Sequence, residues 1–170
     1  MDDGVKAFGH RIHPMLIVFP LGLLGMSVVF DLIHFATGVP TWAQSSFWMI
    51  GIGVICGLVA ALFGFLDWVG IPDGTRAKAI GRLHGGGNVV VVALFAVSWL
   101  VRRPDQQHPN AAAFILSVVG VFLALVTAWL GGELVERLGV GVDRGANVNA
   151  PSSLSRQPMS GGAVSSGRRS

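Results

Sequence analysis

Apolar residues run in four long stretches along the chain, at 15–35, 47–66, 89–101 with a more polar lead-in from 79, and 111–130, separated by short polar segments. Each approaches the roughly 20 residues needed to cross about 30 Å of hydrocarbon at 1.5 Å per residue. The pattern predicts four transmembrane helices, and so an all-α integral membrane bundle. The lead into the first stretch holds Asp2 and Asp3 with little positive charge, and no small-x-small site follows it. It reads as a retained span rather than a cleavable signal.

Polar residues inside the spans recur at helical spacing. At about 100° per residue, His13 and Asp31 share a face of the first helix with Pro20, Leu24 and Ser27 between them, and His10 and His34 extend the stripe. The second span has a small-residue face of Gly53, Cys56, Ala60 and Gly64 ending at Asp67, of the kind that lets helices approach closely in lipid. The third aligns His84, Asn88, Val91, Phe95 and Ser98, and the fourth Ser117, Gly120, Ala124, Thr127 and Gly131, with Glu133 off that face. No repeat is obvious beyond a faint echo of helix pairs in the His or Asp near several span ends.

Composition reinforces the membrane assignment. The 170 residues are 52% hydrophobic and 12% charged, with mean hydropathy +0.64, where water-soluble domains carry about 25% charged residues. Cys56 is the single cysteine, which excludes an internal disulfide, a thiolate cluster and a zinc ribbon. Net charge is only +3 and scattered between apolar runs, so no nucleic-acid partner is expected. The basic residues report topology instead. Lys6, Arg11, Arg76, Lys78, Arg82, Arg137, Arg144, Arg156, Arg168 and Arg169 fall on one side and only Arg102 and Arg103 on the other, which predicts both termini in the cytoplasm. Trp42, Trp48 and Trp99 sit toward the outer span ends, and Trp68 and Trp129 toward the inner ones. The chain divides into a transmembrane domain, 1–142, and a Gly/Ser/Pro-rich cytoplasmic tail, 143–170, expected to be flexible.

Because spans alternate in direction, His10, His13, Asp67, His84 and, more weakly, Glu133 are expected to converge at the inner rim. Imidazole with carboxylate suits a divalent metal, for which His13, His84 and Asp67 are the candidate ligands. Two imidazoles from different helices suit axial ligation of haem iron, with His13, His84, His10, Asp67 and Asn88 as the cofactor-binding set. The same residues also read as buried polar clips between helices, with no cofactor. At the outer end the expected arrangement is an ion pair of Asp31 with Arg102, near His34, Arg103 and His108, the last solvated. The Gly85-Gly86-Gly87 run lacks a preceding strand and a Lys-Ser/Thr ending, so a phosphate loop is excluded. No nucleophile arrangement surrounds Cys56.

The sequence His13-Pro14-Met15-Leu16 leading into Phe19-Pro20-Leu21-Gly22 and Asp31, then Gly64 with Asp67, His84 with Asn88, and Gly131-Gly132-Glu133-Leu134-Val135 followed by Gly139-Val140-Gly141-Val142 resembles a bacterial membrane family, domain of unknown function 2231. The resemblance covers roughly 7 to 142. It implies a four-helix membrane domain; some relatives are joined to Rieske or c-type cytochrome modules, which implies electron transfer. Glu136 stands where the family often has an aromatic residue.

Together these readings favour a small redox-linked subunit of the bacterial cytoplasmic membrane. Haem b or a divalent metal would lie near the cytoplasmic face between the first and third helices. His10 or Asp67 would orient a ligand through its second ring nitrogen, and Arg11, Arg76 or Arg82 would neutralise propionates. The alternative is a cofactor-free accessory subunit. It would pack in a larger respiratory or photosynthetic complex through its small-residue faces and its tail.

Overall fold

The computed structural model describes residues 4–143 and 145–155. A short antiparallel hairpin, β1 (Lys6–Ala7) and β2 (His10–Arg11), pairs Lys6 with Arg11 and Ala7 with His10. Five helices follow: α1 (Ile12–Leu16), α2 (Val18–Thr37), α3 (Pro40–Val69), α4 (Arg76–Arg102) and α5 (Ala111–Gly132), with α5 continuing into a π-helical turn at Glu133–Arg137. Taken together, α1 and α2 form one long apolar rod, so the described residues hold four candidate membrane spans, Ile12–Thr37, Pro40–Val69, Arg76–Arg102 and Ala111–Arg137. The lipid-facing character is plain from burial: only 17% to 22% of each span's apolar window is buried inside the bundle.

The break between α1 and α2 at Ile17 has a local cause. Pro20 has no N–H to give the Leu16 carbonyl, so one rung of the helical ladder is missing there. The rungs on either side, Ile17 to His13 and Leu21 to Ile17, survive at 3.2 and 3.1 Å. Pro14 falls within the first turn of α1, where its N–H would have had no intrahelical acceptor. At the far end Gly38 takes a left-handed φ of 69° and closes α2 on the His34 carbonyl, letting Pro40 open α3 almost at once. Asn110 and Thr75 cap α5 and α4 by accepting from the Ala113 and Lys78 amides. Lys78 is folded against the end of α3, donating to the carbonyls of Trp68, Val69 and Ile71 at 3.0, 3.3 and 3.0 Å while its ammonium lies 4.3 Å from the Trp68 ring. A cation at a helix C-terminus satisfies the last carbonyls and the dipole together.

The buried stripe of α2 is Leu24, Ser27, Asp31 and His34, as the angular projection predicts. His10 leaves that stripe, because the chain turns into the β hairpin before α1. On α3 the buried small residues are Ala43, Ser46, Gly53, Gly57 and Ala60, with Gly57 taking the place expected of Cys56. The apolar centre is Leu24, Ile50, Val91 and Phe95.

The bundle is an internal duplication that the sequence conceals. Positions 71 apart correspond between the first helix of each hairpin (84 minus 13, 102 minus 31), and positions 67 apart between the second helices (120 minus 53, 131 minus 64). His13 matches His84, Leu24 matches Phe95, Ser27 matches Ser98, Gly53 matches Gly120, and Gly64 matches Gly131. Contacts repeat with the positions. Leu24 packs so closely on Gly53 that a Cβ there would lie 2.6 Å from its Cδ2, and Phe95 packs on Gly120 with the equivalent gap at 2.7 Å. The two hairpins run in the same direction, as in parallel membrane repeats related by an axis along the membrane normal.

In the segment expected to be a flexible tail, residues 145–155 run as turns and reach back to the hairpin. His10 Nε2 lies 3.2 Å from Ser153 Oγ, and just before that segment Lys6 Nζ pairs with Asp143 at 3.1 Å. Residue 144 and residues 156–170 lie outside the described part.

Candidate functional site: paired imidazoles and a buried ion pair

At the hairpin end of the bundle, α1 and α4 bring His13 and His84 together edge to face, with ring centroids 6.4 Å apart and planes at 87°. Each ring is fixed in the same way by the second helix of its own repeat. His13 Nδ1 lies 2.8 Å from the Ala60 carbonyl of α3, and His84 Nδ1 lies 2.8 Å from the Thr127 carbonyl of α5. A carbonyl only accepts, so each Nδ1 carries the proton and each Nε2 keeps its lone pair. One turn further along the partner helix, each ring lies against a glycine. A Cβ would come within 2.8 Å of His13 at Gly64 and within 3.1 Å of His84 at Gly131.

Asn88 completes the His84 side. Its Oδ1 accepts from the Thr127 hydroxyl at 2.9 Å, which turns its amide nitrogen toward His84 Nε2 at 3.3 Å. The expected convergence of His13, His84 and Asn88 is therefore present. His10 and Asp67 are placed differently. Asp67 is held by Arg11 at 2.8 Å, both side chains nearly buried, and His10 sits on the hairpin beside Ser153. The second ring nitrogens of His13 and His84 are thus oriented by backbone carbonyls, not by Asp67 or His10. The metal trio of His13, His84 and Asp67 is not assembled, because Arg11 claims the carboxylate; among the described residues no three His, Cys, Asp or Glu side chains are grouped to hold an ion. Glu133 is likewise engaged, by Arg76 at 2.6 Å. Two of the three guanidiniums expected to neutralise propionates thus already face carboxylates.

At the opposite end, Asp31 and Arg102 form a bidentate ion pair, both bonds 2.7 Å, with side chains 0% and 1% exposed. Every N–H of the guanidinium finds an acceptor. Nε donates to Ser98, Nη1 to Asp31 and Ser46, and Nη2 to Asp31 and Ser117. These acceptors come from all four spans, and Ser98 in turn donates to the Ala113 carbonyl at 2.7 Å. A charge at membrane depth is tolerated where it is paired and hydrogen-bonded in the bundle interior, and here it ties the four spans at one point. The sequence anticipated the pair and put Ser98 and Ser117 on inward faces, but neither their bonds to Arg102 nor the part played by Ser46 was legible in it.

Fold and site define a multi-pass membrane protein of two equivalent helical hairpins, joined by an imidazole pair at one end and an ion pair at the other. The chain belongs to the family described as predicted membrane protein DUF2231, whose model matches residues 9–144. No curated protein and no solved structure matches it.

Proposed function

We propose that the protein is a small redox-linked subunit of the bacterial cytoplasmic membrane, with both termini on the cytoplasmic side and haem b or a divalent metal held by His13 and His84. One observation carries this reading. Two equivalent imidazoles, each with Nδ1 tied to a carbonyl and its lone pair kept on Nε2, stand with ring centroids 6.4 Å apart. With metal–nitrogen bonds of about 2 Å, two imidazoles facing across one ion have centroids about 6 Å apart, so the donor set fits. Carbonyl-oriented Nδ1 atoms are the usual support for metal-ligating histidine.

Haem iron bound there supplies one-electron transfer. The chain's own part is to orient the rings through Ala60 and Thr127, and to make room for them at Gly64 and Gly131. Asn88 occupies His84 Nε2 with a long 3.3 Å contact, which ligation replaces. Arg82, exposed at the same end, is the guanidinium left for an anionic group, since Arg11 and Arg76 are paired.

The test is an absorption spectrum of the purified protein, oxidised and reduced, with elemental analysis. A Soret band or a stoichiometric metal, lost in both His13→Ala and His84→Ala, is the expected result. Absence of both signals overturns the reading.

The second reading, a cofactor-free accessory subunit in a larger respiratory or photosynthetic complex, is favoured by the same Asn88 contact, because it leaves His84 with both ring nitrogens satisfied. Under it the histidine substitutions only weaken folding, and deleting 154–170 releases the protein from its complex.

A further inference from the structure

We propose that His34 and His108 form a second, independent site, for a divalent late-transition ion of the zinc class, at the end of the bundle opposite His13 and His84. It uses no residue of the site described above.

His34 lies in the last turn of α2, and its Nδ1 is 3.0 Å from the Val39 carbonyl, across the turn made by Gly38. That contact puts the ring proton on Nδ1 and leaves the lone pair on Nε2. His108 lies in the loop between α4 and α5. Its Nδ1 faces the Asp105 carboxylate at 3.1 and 3.3 Å, the carboxylate–histidine arrangement that orients metal ligands. Asp105 is itself pinned, accepting the backbone N–H groups of Gln107 and His108 at 3.0 and 3.1 Å.

The two rings meet with centroids 6.3 Å apart and planes at 68°. With metal–nitrogen bonds of about 2.0–2.1 Å, two imidazoles on one ion have centroids at most about 6.4 Å apart, so this separation is within reach of a shared ion once both rings turn their Nε2 atoms to it. Among the described residues, neither Nε2 has a hydrogen-bond partner. Imidazole donors select zinc, copper and nickel over magnesium and calcium. The nearby charges balance rather than repel a cation: Arg102 is neutralised by Asp31, and the Asp105 carboxylate beside His108 offsets Arg103, which lies over the Trp99 ring at 5.5 Å. Two protein ligands leave the remaining positions to water, which makes the site exchangeable and open to the aqueous face.

Calorimetric titration of the full chain in lipid nanodiscs with Zn²⁺ tests the assignment. One saturable zinc that survives His13→Ala is expected, lost in His34→Ala and in His108→Ala and weakened about 10–100-fold in Asp105→Asn, whereas any zinc taken up between His13 and His84 disappears in His13→Ala and is counted apart. His108 sits in an exposed loop, so its variant tests the site even if His34→Ala folds poorly. The proposal is overturned if the wild type takes up no zinc, if His108→Ala binds as tightly, or if zinc is lost on replacing His13 instead.

Discussion

Asp31 and Arg102 occupy the same position in two copies of one helical hairpin, and they are each other's partner. The pseudo-twofold relation brings the equivalent sites face to face, so opposite charges there act as a lock between repeats. His13 and His84 show the same relation at the other end, with identical chemistry instead of opposite charge.

Breaking the lock leaves a buried charge without its counterion. Asp31→Asn or Arg102→Met should each cost about 3–5 kcal/mol, while Asp31→Leu combined with Arg102→Met should cost less than the sum. The exchange Asp31→Arg with Arg102→Asp should recover part of the loss, because Ser27 stands to position 31 as Ser98 stands to 102. Thermal unfolding in detergent measures all four variants, and strictly additive losses would contradict the lock.

Glycines of this bundle divide by what surrounds them. Gly64→Ala drives a methyl group into a His13 ring that its bond to Ala60 holds in place, and Gly53→Ala meets Leu24; each should destabilise by about 1–3 kcal/mol. Gly85 and Gly86 face open space, so alanine there should be neutral or stabilise by up to about 1 kcal/mol through helix propensity. Unfolding midpoints that fail to separate the two groups would refute the packing.

Lys78→Met removes the ammonium that closes the end of α3 over Trp68, Val69 and Ile71. Leaving buried carbonyls unsatisfied should cost about 1–3 kcal/mol. Hydrogen exchange should rise in residues 69–75 before the rest of the bundle, and a change in Trp68 emission should accompany it.

Asp105 supplies a pH dependence whose sign is fixed by its partners. The backbone N–H of Gln107, followed by that of His108 and its ring, holds the carboxyl below the usual carboxylate range. Its contribution to loop order is complete above the unfolded carboxyl's value and is lost as pH falls through the lowered folded one. The Gln107 and His108 amide resonances should titrate with a midpoint below that of an ordinary aspartate and stay flat in Asp105→Asn. A midpoint at or above the ordinary value would sink the assignment.

The four spans, their faces and the Asp31–Arg102 pair were legible in the sequence, because a hydrocarbon environment forces apolar length on each helix and a partner on each interior charge. Ser98 and Phe95 fell on the face predicted for the third span for the same reason. The convergence of His13 with His84 followed from alternating span direction alone. Asp67 could not be assigned, since its choice between Arg11 and the imidazoles depends on where the hairpin before α1 turns back. His10 was misplaced by the same turn, which ends the helical register at Ile12.

The repeat is the clearest division between the two levels. Offsets of 71 and 67 were always present in the chain, yet equivalent positions carry Leu24 against Phe95 and Asp31 against Arg102, so identity hides what geometry preserves. The sequence by itself determined the membrane class, the number of spans and most of the residues turned inward, because those depend on local periodicity and solvent. Only the tertiary structure decided which inward residues pair across the axis. That choice rests on helix packing distances, set by glycines such as Gly53, Gly64, Gly120 and Gly131, which no single helix contains.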